Sequence, residues 1–399
     1  MKLLSTETKN NVLTSMIRVL DENRLRLLEA NKIDLKLFNR EDQAMYDRLI
    51  INNQKINAMI QAIESVRTQE DPVNKKITET ILENDLKVVN KTSPFGVIMI
   101  IYESRPDVTI EAAVLAFKAN NKILLKGGKE ALHSNTVLVD FWHQALLENN
   151  LNTDYIQLLT MNREETQIFL KNPTQKLDLI VPRGGEKLIS FVKEHAQCSV
   201  LVSGRGNNFL YIDQNVDWQK SLNVIINAKT DKISACNALD KILVNTQIPN
   251  YHQKLIELKN ILKENEVSIW VDRTSKEILR EETLITNESI WEEEFLAMKC
   301  CIGSVDSVTD AIQKINQYSG GHSATIMTTD DTTASVFMEE IDCAAVYQNA
   351  STRFTDGGQM GVGAELAIST DKLHHRGPLG LKELVTNKYY VFGDGHIRN

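Results

Sequence analysis

The stretch that decides the fold is Ser93 to Pro106, SPFGVIMIIYESRP, in which the apolar run Val97 to Tyr102 follows a Pro-Phe-Gly turn. A run of this length, rich in β-branched residues, is typical of a strand buried on both faces of a parallel sheet. Beyond it, residues 108–119 predict a helix, residues 122–126 a second buried strand and residues 129–147 another helix. This alternation predicts a doubly wound α/β unit.

The pattern extends in both directions and divides the chain. Before residue 68 apolar residues recur at helical spacing, and residues 73–91 alternate as in a two-stranded arm. A second set of α/β signals begins near Ser221. We therefore predict three parts, which are residues 1–220 with the arm, residues 221–370, and a C-terminal tail at residues 371–399.

Composition excludes several classes of protein. The 45 Lys and Arg residues against 53 Asp and Glu give a formal net charge of −8, which argues against a nucleic-acid or anionic-membrane binder. Five cysteines are few for 399 residues and have no metal-ligand spacing, so we expect no metal site and a reducing, cytoplasmic setting. The N-terminus lacks a signal-peptide core, and no apolar run approaches the ~18 residues of a membrane helix.

Two turns of the predicted sheet could bind an anion, although the sequence has neither the GxGxxG fingerprint nor a P-loop. Lys126-Gly127-Gly128-Lys129 lies between a buried strand and a helix, where backbone N–H groups and two ammonium groups meet. Arg183-Gly184-Gly185 follows a second apolar strand in the same way. We predict that these turns form two walls of a cofactor cleft; ordinary loops with solvated charges are the alternative.

Cys236 is the candidate nucleophile. It lies in DKISACNA at residues 231–238, where small neighbours allow a substrate to approach and a nearby helix N-terminus would favour the thiolate. The other cysteines have apolar or strand-like surroundings, as small core residues do. The histidines show no base motif that would suggest a cysteine hydrolase, and His322 in GGHS is better explained by a structural role.

A polar, glycine-rich stretch at residues 349–365 is the last candidate site. Its hydroxyls at Ser351 and Thr352 and the guanidinium of Arg353 precede several glycines. Backbone N–H groups of such a loop, together with one arginine, can bind a carboxylate or a phosphate. A long surface loop is the alternative.

Five segments together resemble the gamma-glutamyl phosphate reductase family within the aldehyde dehydrogenase superfamily. The resemblance runs from about Ser93 to Leu381 and implies an aldehyde-dehydrogenase-like fold, with two Rossmann-like doubly wound domains and a small oligomerisation arm. The segments are SPFGVIMIIYESRPDVTIEAA (93–113), ILLKGGKEALHSN (123–135), VPRGGEKLI (181–189), CNA (236–238) and STRFTDGGQMGVGAELAISTDKLHHRGPLGL (351–381).

The resemblance implies NADPH-dependent reduction of L-glutamate 5-phosphate to L-glutamate 5-semialdehyde and phosphate, a step of proline biosynthesis whose product cyclises to 1-pyrroline-5-carboxylate. Cys236, with Asn237 beside it, takes the catalytic position and carries a thioester. Residues 1–220 then hold NADP, residues 221–370 form the catalytic domain, and residues 371–399 serve the cofactor domain and assembly. A small-molecule substrate, a homo-oligomer and a partnership with glutamate 5-kinase are further implications.

The resemblance also suggests individual binding residues. Lys126 is the strand-ending lysine of the superfamily's cofactor site, and Lys129 replaces a glutamate that holds the adenosine ribose in many NAD-using members. A cation there would attract a 2′-phosphate, which favours NADP over NAD. Glu293 and Phe295 resemble a Glu-x-Phe that contacts the nicotinamide ribose, and we predict Arg105 as a substrate-binding residue together with residues 351–353.

Two departures bear on mechanism. The stretch LVSGRGN at residues 201–207 lacks the carboxylate with which hydrolytic aldehyde dehydrogenases activate water, as suits an enzyme that must protect its thioester. Asn208 and Phe209 replace the cysteine and histidine usual in the family. The alternatives are a thiol-acylating reductase of another acyl phosphate or of an acyl-CoA, and a catalytically silent NADP-binding protein of the same fold.

Overall fold

A computed structural model describes residues 2–39 and 43–398 and shows two compact units. Unit 1 comprises the described residues of Met1–Val202, Val362–Ala367 and Leu379–Asn399, and unit 2 comprises Ser203–Gly361 and Ile368–Pro378. The division therefore falls before the predicted boundary at residue 220, because the strand that follows Ser203 joins the sheet of unit 2. The predicted tail is likewise shared between the two units.

Unit 1 is built on a five-stranded parallel sheet with the predicted strand Val97–Tyr102 at its centre. Apolar side chains from this strand pack against the helices that cover the sheet, which is why the sequence shows an unbroken apolar run there. Across the sheet the strands are Ile156–Leu158, Lys122–Lys126, Val97–Tyr102, Leu179–Arg183 and Ser199–Val200. The helices that follow the strand Val97–Tyr102 in unit 1 are Pro106–Lys118, Leu132–Glu148, Arg163–Lys171 and Glu186–His195.

The N-terminal part of unit 1 is helical, as its periodicity predicts. Val12, Met16 and Val19 lie on one buried face of the first helix, and Ser5 caps that helix by accepting a hydrogen bond from the Thr8 N–H. These helices pack against the same core as the sheet. Their bounds are Thr6–Glu22, Arg24–Leu37, Gln43–Leu49 and Asn53–Thr68.

The predicted arm has a third strand. Lys76–Ile81 pairs with Lys87–Pro94, and Val385–Phe392 pairs with the other edge of Lys87–Pro94; both pairings are antiparallel. The C-terminal tail is thus an integral part of the arm. This pairing joins segments nearly three hundred residues apart in sequence, so local pattern could not reveal it.

Unit 2 contains a seven-stranded sheet in which all the pairings are parallel. Across the sheet the strands are Thr283–Leu284, Ser268–Val271, Lys299–Val305, Leu239–Asn245, Asn208–Ile212, Ser323–Met327 and Ala345–Gln348. The helices are Trp218–Thr230, Tyr251–Glu264, Arg273–Ile278, Val308–Tyr318 and Asp331–Glu340. Ile368–Ser369 and Gly377–Pro378 form a short antiparallel pair.

Short 3₁₀ turns complete both units, at Lys129–Ala131, Thr153–Tyr155, Glu288–Trp291, Thr352–Phe354 and Leu381–Glu383. Two doubly wound α/β sheets with an antiparallel arm agree with the predicted fold class. Among the described residues, the structure has no helix both long and apolar enough to span a bilayer.

Candidate functional sites in the two units

A pocket of about 680 Å³ lies at the carboxyl ends of the strands of unit 1, where parallel α/β sheets bind their ligands. The predicted turn Lys126-Gly127-Gly128-Lys129 lines it, together with Tyr102 and Glu103 at the end of the central strand. The structure therefore brings the four predicted residues of this turn to one pocket. The lining also includes Thr160, Met161 and Asn162, which follow the strand Ile156–Leu158.

Both glycines of the turn are required by close contacts. A Cβ atom on Gly127 would lie 2.3 Å from the Asn135 side-chain amide, and one on Gly128 would lie 2.0 Å from the Glu130 carboxylate. The Glu130 carboxylate in turn accepts hydrogen bonds from the backbone N–H and the hydroxyl of Ser104, at 2.7 and 2.8 Å. The turn is thus packed against side chains that hold the neighbouring loop, and it is not a loose connection.

Four cationic side chains line the pocket: Lys126, Lys129, Arg163 and Lys187. Burial lowers the pKa of Lys126, whose ammonium donates to the Gly127 carbonyl at 2.8 Å. Lys129 is exposed, and the Arg163 guanidinium lies 5.3 Å from the centre of the Phe191 ring. Arg163 and Lys187 could not be predicted as pocket residues from the sequence, because a cation in the first turn of a helix is not a signal by itself.

The second predicted turn lies beside this pocket rather than in its lining. A Cβ atom on Gly184 would lie 2.7 Å from Leu188, which lines the pocket, and 2.8 Å from the Glu103 carboxylate. Gly185 has open space around its Cα atom and precedes the helix Glu186–His195. The guanidinium of Arg183 donates to the Leu366 carbonyl, so it anchors the segment 362–367 within unit 1.

Cys236 lies in unit 2, on an exposed turn between the helix Trp218–Thr230 and the strand Leu239–Asn245. The chain therefore reaches Cys236 from the C-terminal end of a helix and continues into a strand, so the expected adjacent helix N-terminus is absent from this part of the chain. Two backbone hydrogen bonds shape this turn, from the Ala235 N–H to the Lys232 carbonyl at 3.1 Å and from the Ala238 N–H to the Ala235 carbonyl at 3.0 Å. The exposed thiol is therefore presented on a defined turn, not on an extended loop.

The other four cysteines have different surroundings. Burial raises the pKa of the Cys300 and Cys301 thiols to about 12 and that of Cys343 to about 11. Burial and the nearby Asp178 carboxylate also raise the pKa of Cys198. Because the thiolate is the reactive form of cysteine, these four thiols are poor nucleophiles, as the sequence analysis expected.

Gly206 and Asn208 contact the backbone of the Cys236 turn. A Cβ atom on Gly206 would lie 2.1 Å from the Cys236 carbonyl oxygen and 2.5 Å from its Cα atom, so the two backbones are in direct contact. The side-chain amide of Asn208 donates to the carbonyls of Gly206, Cys236 and Ala238, at 2.9, 2.8 and 2.7 Å. Asn208 departs from the family pattern, but no neighbouring residue in the sequence reveals this contact.

Asn237 joins the Cys236 turn to the polar stretch at residues 349–365. Its side-chain amide donates to the carbonyls of Arg353 and Thr355, at 3.1 and 3.0 Å. The Thr352 hydroxyl donates to the Asn237 carbonyl at 2.7 Å. The structure thus brings together Cys236, Asn237 and residues 351–353, which the sequence analysis had predicted separately as catalytic and substrate-binding residues.

The side chains of residues 351–353 have different settings. Ser351 is the N-cap of the turn Thr352–Phe354, and its hydroxyl accepts from the Arg353 N–H at 3.3 Å. Thr352 is fully buried, whereas the Arg353 guanidinium contacts the exposed Asp231 carboxylate at 3.1 Å. Arg353 is therefore the member of this group whose charge lies close to the surface beside the Cys236 turn.

Glu293 and Phe295 lie in unit 2 on the loop before the strand Lys299–Val305. The Glu293 side chain is exposed, whereas the backbone carbonyl of Glu293 accepts a hydrogen bond from the buried Lys241 ammonium at 2.7 Å. The Phe295 ring centre lies 3.7 Å from the Lys241 ammonium and 4.2 Å from that of Lys299. These cation–π contacts fix Phe295 and leave the Glu293 carboxylate at the surface.

Arg105 lies in unit 1, at the N-cap of the helix Pro106–Lys118, where its guanidinium contacts the Asp107 carboxylate at 2.9 Å. Among the described residues, no group of three or more His, Cys, Asp and Glu side chains could hold a metal ion. The predicted residues thus form a cationic pocket in unit 1 and a thiol-bearing turn in unit 2.

Comparison with known proteins relates the chain to a family. The aldehyde dehydrogenase family model matches residues 278–365. The chain is 39% identical over 396 residues to a gamma-glutamyl phosphate reductase of Thermotoga maritima, and 39% identical over 397 residues to one of Listeria monocytogenes. Each of these alignments covers 99% of this chain and 95% of the relative.

Solved structures agree with this comparison. The crystal structure of the gamma-glutamyl phosphate reductase from Thermotoga maritima matches with a TM-score of 0.94 at 40% identity, covering 99% of this chain and 95% of that chain. An acetylating aldehyde dehydrogenase from Geobacillus thermoglucosidasius matches with a TM-score of 0.69 at 18% identity, covering 99% and 94%, which shows a shared fold. The predicted fold class is confirmed, and the chain belongs to the gamma-glutamyl phosphate reductase family, an oxidoreductase family with the aldehyde dehydrogenase fold.

Proposed function

We propose that this enzyme reduces L-glutamate 5-phosphate to L-glutamate 5-semialdehyde and phosphate with NADPH, the step of proline biosynthesis that gives the family its name. The observation that carries the proposal is the identity of about 40% to gamma-glutamyl phosphate reductases over nearly the full length of both chains. The exposed Cys236 turn and the cationic pocket supply the two chemical functions that this reaction needs.

In the proposed mechanism Cys236 is the nucleophile. Its thiolate attacks the acyl carbon of the substrate, the C–O bond to phosphate breaks, and phosphate leaves with the electron pair, which gives a thioester on Cys236. When bound, the reduced nicotinamide supplies the hydride that reduces this thioester. The resulting thiohemiacetal collapses to the aldehyde as the C–S bond breaks and the thiolate is released. The Cys236 backbone N–H is one candidate donor to the developing oxyanion.

The proposal requires that water be kept from the thioester. The segment 201–207, LVSGRGN, carries no carboxylate that could act as a base beside Cys236. Gly206 is instead occupied in backbone packing against Cys236. A hydrolytic base here would divert the thioester to the acid, so its replacement by a glycine-rich segment suits a reductase of an activated acyl group.

The fold is that of enzymes that use a nicotinamide cofactor, and the pocket in unit 1 suits NADPH in particular. Its phosphate-binding groups would be Lys126, the backbone at Gly127 and Gly128, and the exposed Lys129. Lys129 would hold the 2′-phosphate, because an ammonium attracts the group that a carboxylate at this position would repel. Arg163, whose guanidinium lies over the Phe191 ring in the same pocket, adds a further cation that would favour an anionic ligand such as a 2′-phosphate.

We assign the remaining predicted residues by their surroundings. Arg183, Gly184 and Gly185 would shape the pocket through Leu188, and Glu293 and Phe295 would face the nicotinamide ribose. These roles are proposals that extend the contacts described above.

Substrate binding falls to a second group of predicted residues. We propose that Arg353 binds an anionic group of the substrate, while Ser351 and Thr352 hold the turn on which Arg353 lies. Arg105, at the N-cap of its helix, remains a proposed substrate contact.

Assembly and location are also proposals. The arm exposes Ile77, Ile81, Val391 and Phe392, and apolar side chains on a strand edge favour association, so we propose a homo-oligomer formed through the arm. The small number of cysteines suits the cytoplasm. Glutamate 5-kinase, which would supply the labile acyl phosphate, is the proposed partner.

The test is the reverse reaction, followed as reduction of NADP by glutamate 5-semialdehyde with and without inorganic phosphate. Turnover should require phosphate and should be lost in Cys236→Ala, whereas the matched variant Cys198→Ala should retain it. Coenzyme A replaces phosphate in a further arm. Turnover that depends on coenzyme A, turnover without any acceptor, or full activity of Cys236→Ala would each overturn the proposed function.

A further inference from the structure

We propose that Asn208 is the positioning residue for the nucleophile: its buried amide fixes the carbonyl of Cys236 and thereby the location of the thiol relative to the bound acyl group. The inference rests on the proposed role of Cys236 and goes beyond it, because Asn208 itself has no exposed surface and cannot contact a substrate.

The contacts of Asn208 join both ends of the Cys236 turn. Its Nδ2 atom lies 2.8 Å from the carbonyl oxygen of Cys236 and 2.7 Å from that of Ala238, the residue before the following strand. It also lies 2.9 Å from the carbonyl oxygen of Gly206, whose backbone packs on Cys236. The two N–H groups of this amide are therefore shared among the carbonyls of Gly206, Cys236 and Ala238, and removing them would leave these acceptors without this donor.

The carbonyl end of the Asn208 amide is also held by hydrogen bonds. Its Oδ1 atom accepts from the Ser323 hydroxyl at 2.5 Å and from the His322 Nδ1 at 2.9 Å, and both residues are fully buried. Burial lowers the pKa of His322 to about 4, so the neutral ring donates through Nδ1 at neutral pH. These donors fix which end of the amide faces the turn, since Oδ1 can only accept and only the NH₂ end can donate to the carbonyls of the turn.

The consequence for the reaction follows from geometry. Cys236 is an exposed residue on a short turn, and its thiol must reach the acyl carbon within about 3–3.5 Å for efficient attack. A turn whose carbonyl is fixed to the central strands of the sheet holds the thiol in that position at no further entropic cost. Without the amide, the same turn would sample other positions, and substrate binding would be affected less than turnover.

The test compares Asn208→Ser and Asn208→Leu with a matched control, Asn245→Ser. Asn245 is also a buried asparagine of this sheet, 3% exposed, but its amide donates to the Tyr211 hydroxyl and its side-chain oxygen accepts from the Gln247 N–H, both at 2.8 Å and both to residues outside the Cys236 turn. The serine variant leaves room for a water that can satisfy the carbonyls, so the fold should survive even where leucine does not.

Two measurements are made on each full-length variant. The first is kcat and KM for phosphate-dependent NADP reduction, and the second is amide hydrogen exchange of the peptide spanning residues 232–239. For Asn208→Ser we expect kcat to fall about 10- to 100-fold, because the thiol is no longer held in position. The KM values for NADP and for the semialdehyde should change by less than about threefold, because binding is kept. Exchange in the peptide should become at least about tenfold faster.

The control separates positioning from general loss of stability. Asn245→Ser should lower the thermal midpoint by a comparable amount but leave kcat and exchange in residues 232–239 near the parent values. An Asn208→Ser enzyme with kcat within about twofold of the parent overturns the proposal, as does unchanged exchange of the peptide. If the parent lacked phosphate-dependent turnover, the proposed function would fail, and the exchange measurement would still decide whether Asn208 fixes the turn.

Discussion

Replacing Gly206 by alanine tests whether backbone packing beneath Cys236 controls the reaction. The added Cβ atom would lie 2.1 Å from the Cys236 carbonyl oxygen and 2.5 Å from its Cα atom, whereas ordinary contact begins at 3.4 Å. Both atoms belong to the backbone, so neither can move away by a side-chain rotation. The Cys236 turn must therefore shift by about 1 Å to accommodate the methyl group.

The magnitude follows from that displacement. A shift of about 1 Å in a reacting group costs about 10²-fold in rate, equivalent to about 2.7 kcal/mol of activation free energy. Overpacking of this kind also destabilises a fold by about 1–3 kcal/mol. Gly206 does not have a positive φ, so the alanine itself introduces no backbone strain and the steric effect can be measured alone.

The assay is steady-state NADP reduction by glutamate 5-semialdehyde and phosphate, on protein that retains the circular dichroism of the parent. Gly393→Ala, in the arm, is the control, because a Cβ atom there would meet only side-chain atoms of His396 and Leu86, at 2.9 Å, and Gly393 lies outside the proposed sites. We expect Gly206→Ala to lose about 10²-fold in kcat and the control to lose little. A folded Gly206→Ala enzyme with the parent's kcat would refute the argument.

Three other substitutions test separate parts of the structure. Lys129→Glu should shift the ratio of kcat/KM for NADP over NAD toward NAD by about 10- to 100-fold, and an unchanged ratio would exclude Lys129 as the 2′-phosphate ligand. Arg353→Ala should raise the KM for the semialdehyde or lower kcat by about tenfold, whereas Asp231→Asn, which removes only the ion pair, should change either by less than about threefold; an unaffected Arg353→Ala enzyme would contradict the substrate role. His322 has a pKa of about 4 in the fold against an ordinary 6.5, so the unfolded chain binds the proton more readily and the free energy of unfolding falls as the pH drops from 7 to 4. This group should account for about 3 kcal/mol of that fall, and His322→Gln should show a correspondingly shallower pH dependence in urea unfolding.

The sequence was most informative where structure depends on local pattern. The apolar run at Val97–Tyr102 predicts a buried parallel strand, and the structure has that strand at the centre of the sheet of unit 1. The turn Lys126-Gly127-Gly128-Lys129 was also predicted from its neighbours in sequence, and it lines the pocket. Cys236 was distinguished from the other cysteines by its polar, small-residue context, and it is the exposed one on a turn.

Contacts between residues far apart in sequence could not be predicted from local patterns. Arg183 was predicted from its position after a strand, but its guanidinium also anchors the Leu366 carbonyl. The tail strand Val385–Phe392 completes an arm that begins near residue 76. Asn208 attracted notice only as an unusual residue, because nothing in its neighbourhood reveals that Cys236 and His322 lie against it.

By itself, the sequence indicated the α/β class and the cationic turn, since hydrophobic periodicity and glycine placement act over a few neighbouring positions. Five segments carried the resemblance to the family, and Cys236 followed as the candidate nucleophile. Only the tertiary structure decided what holds the nucleophile, and which cations share the pocket with Lys129. The physical reason is that hydrogen bonds and close packing depend on distances between strands, and those distances are set by the folded sheet rather than by separation along the chain.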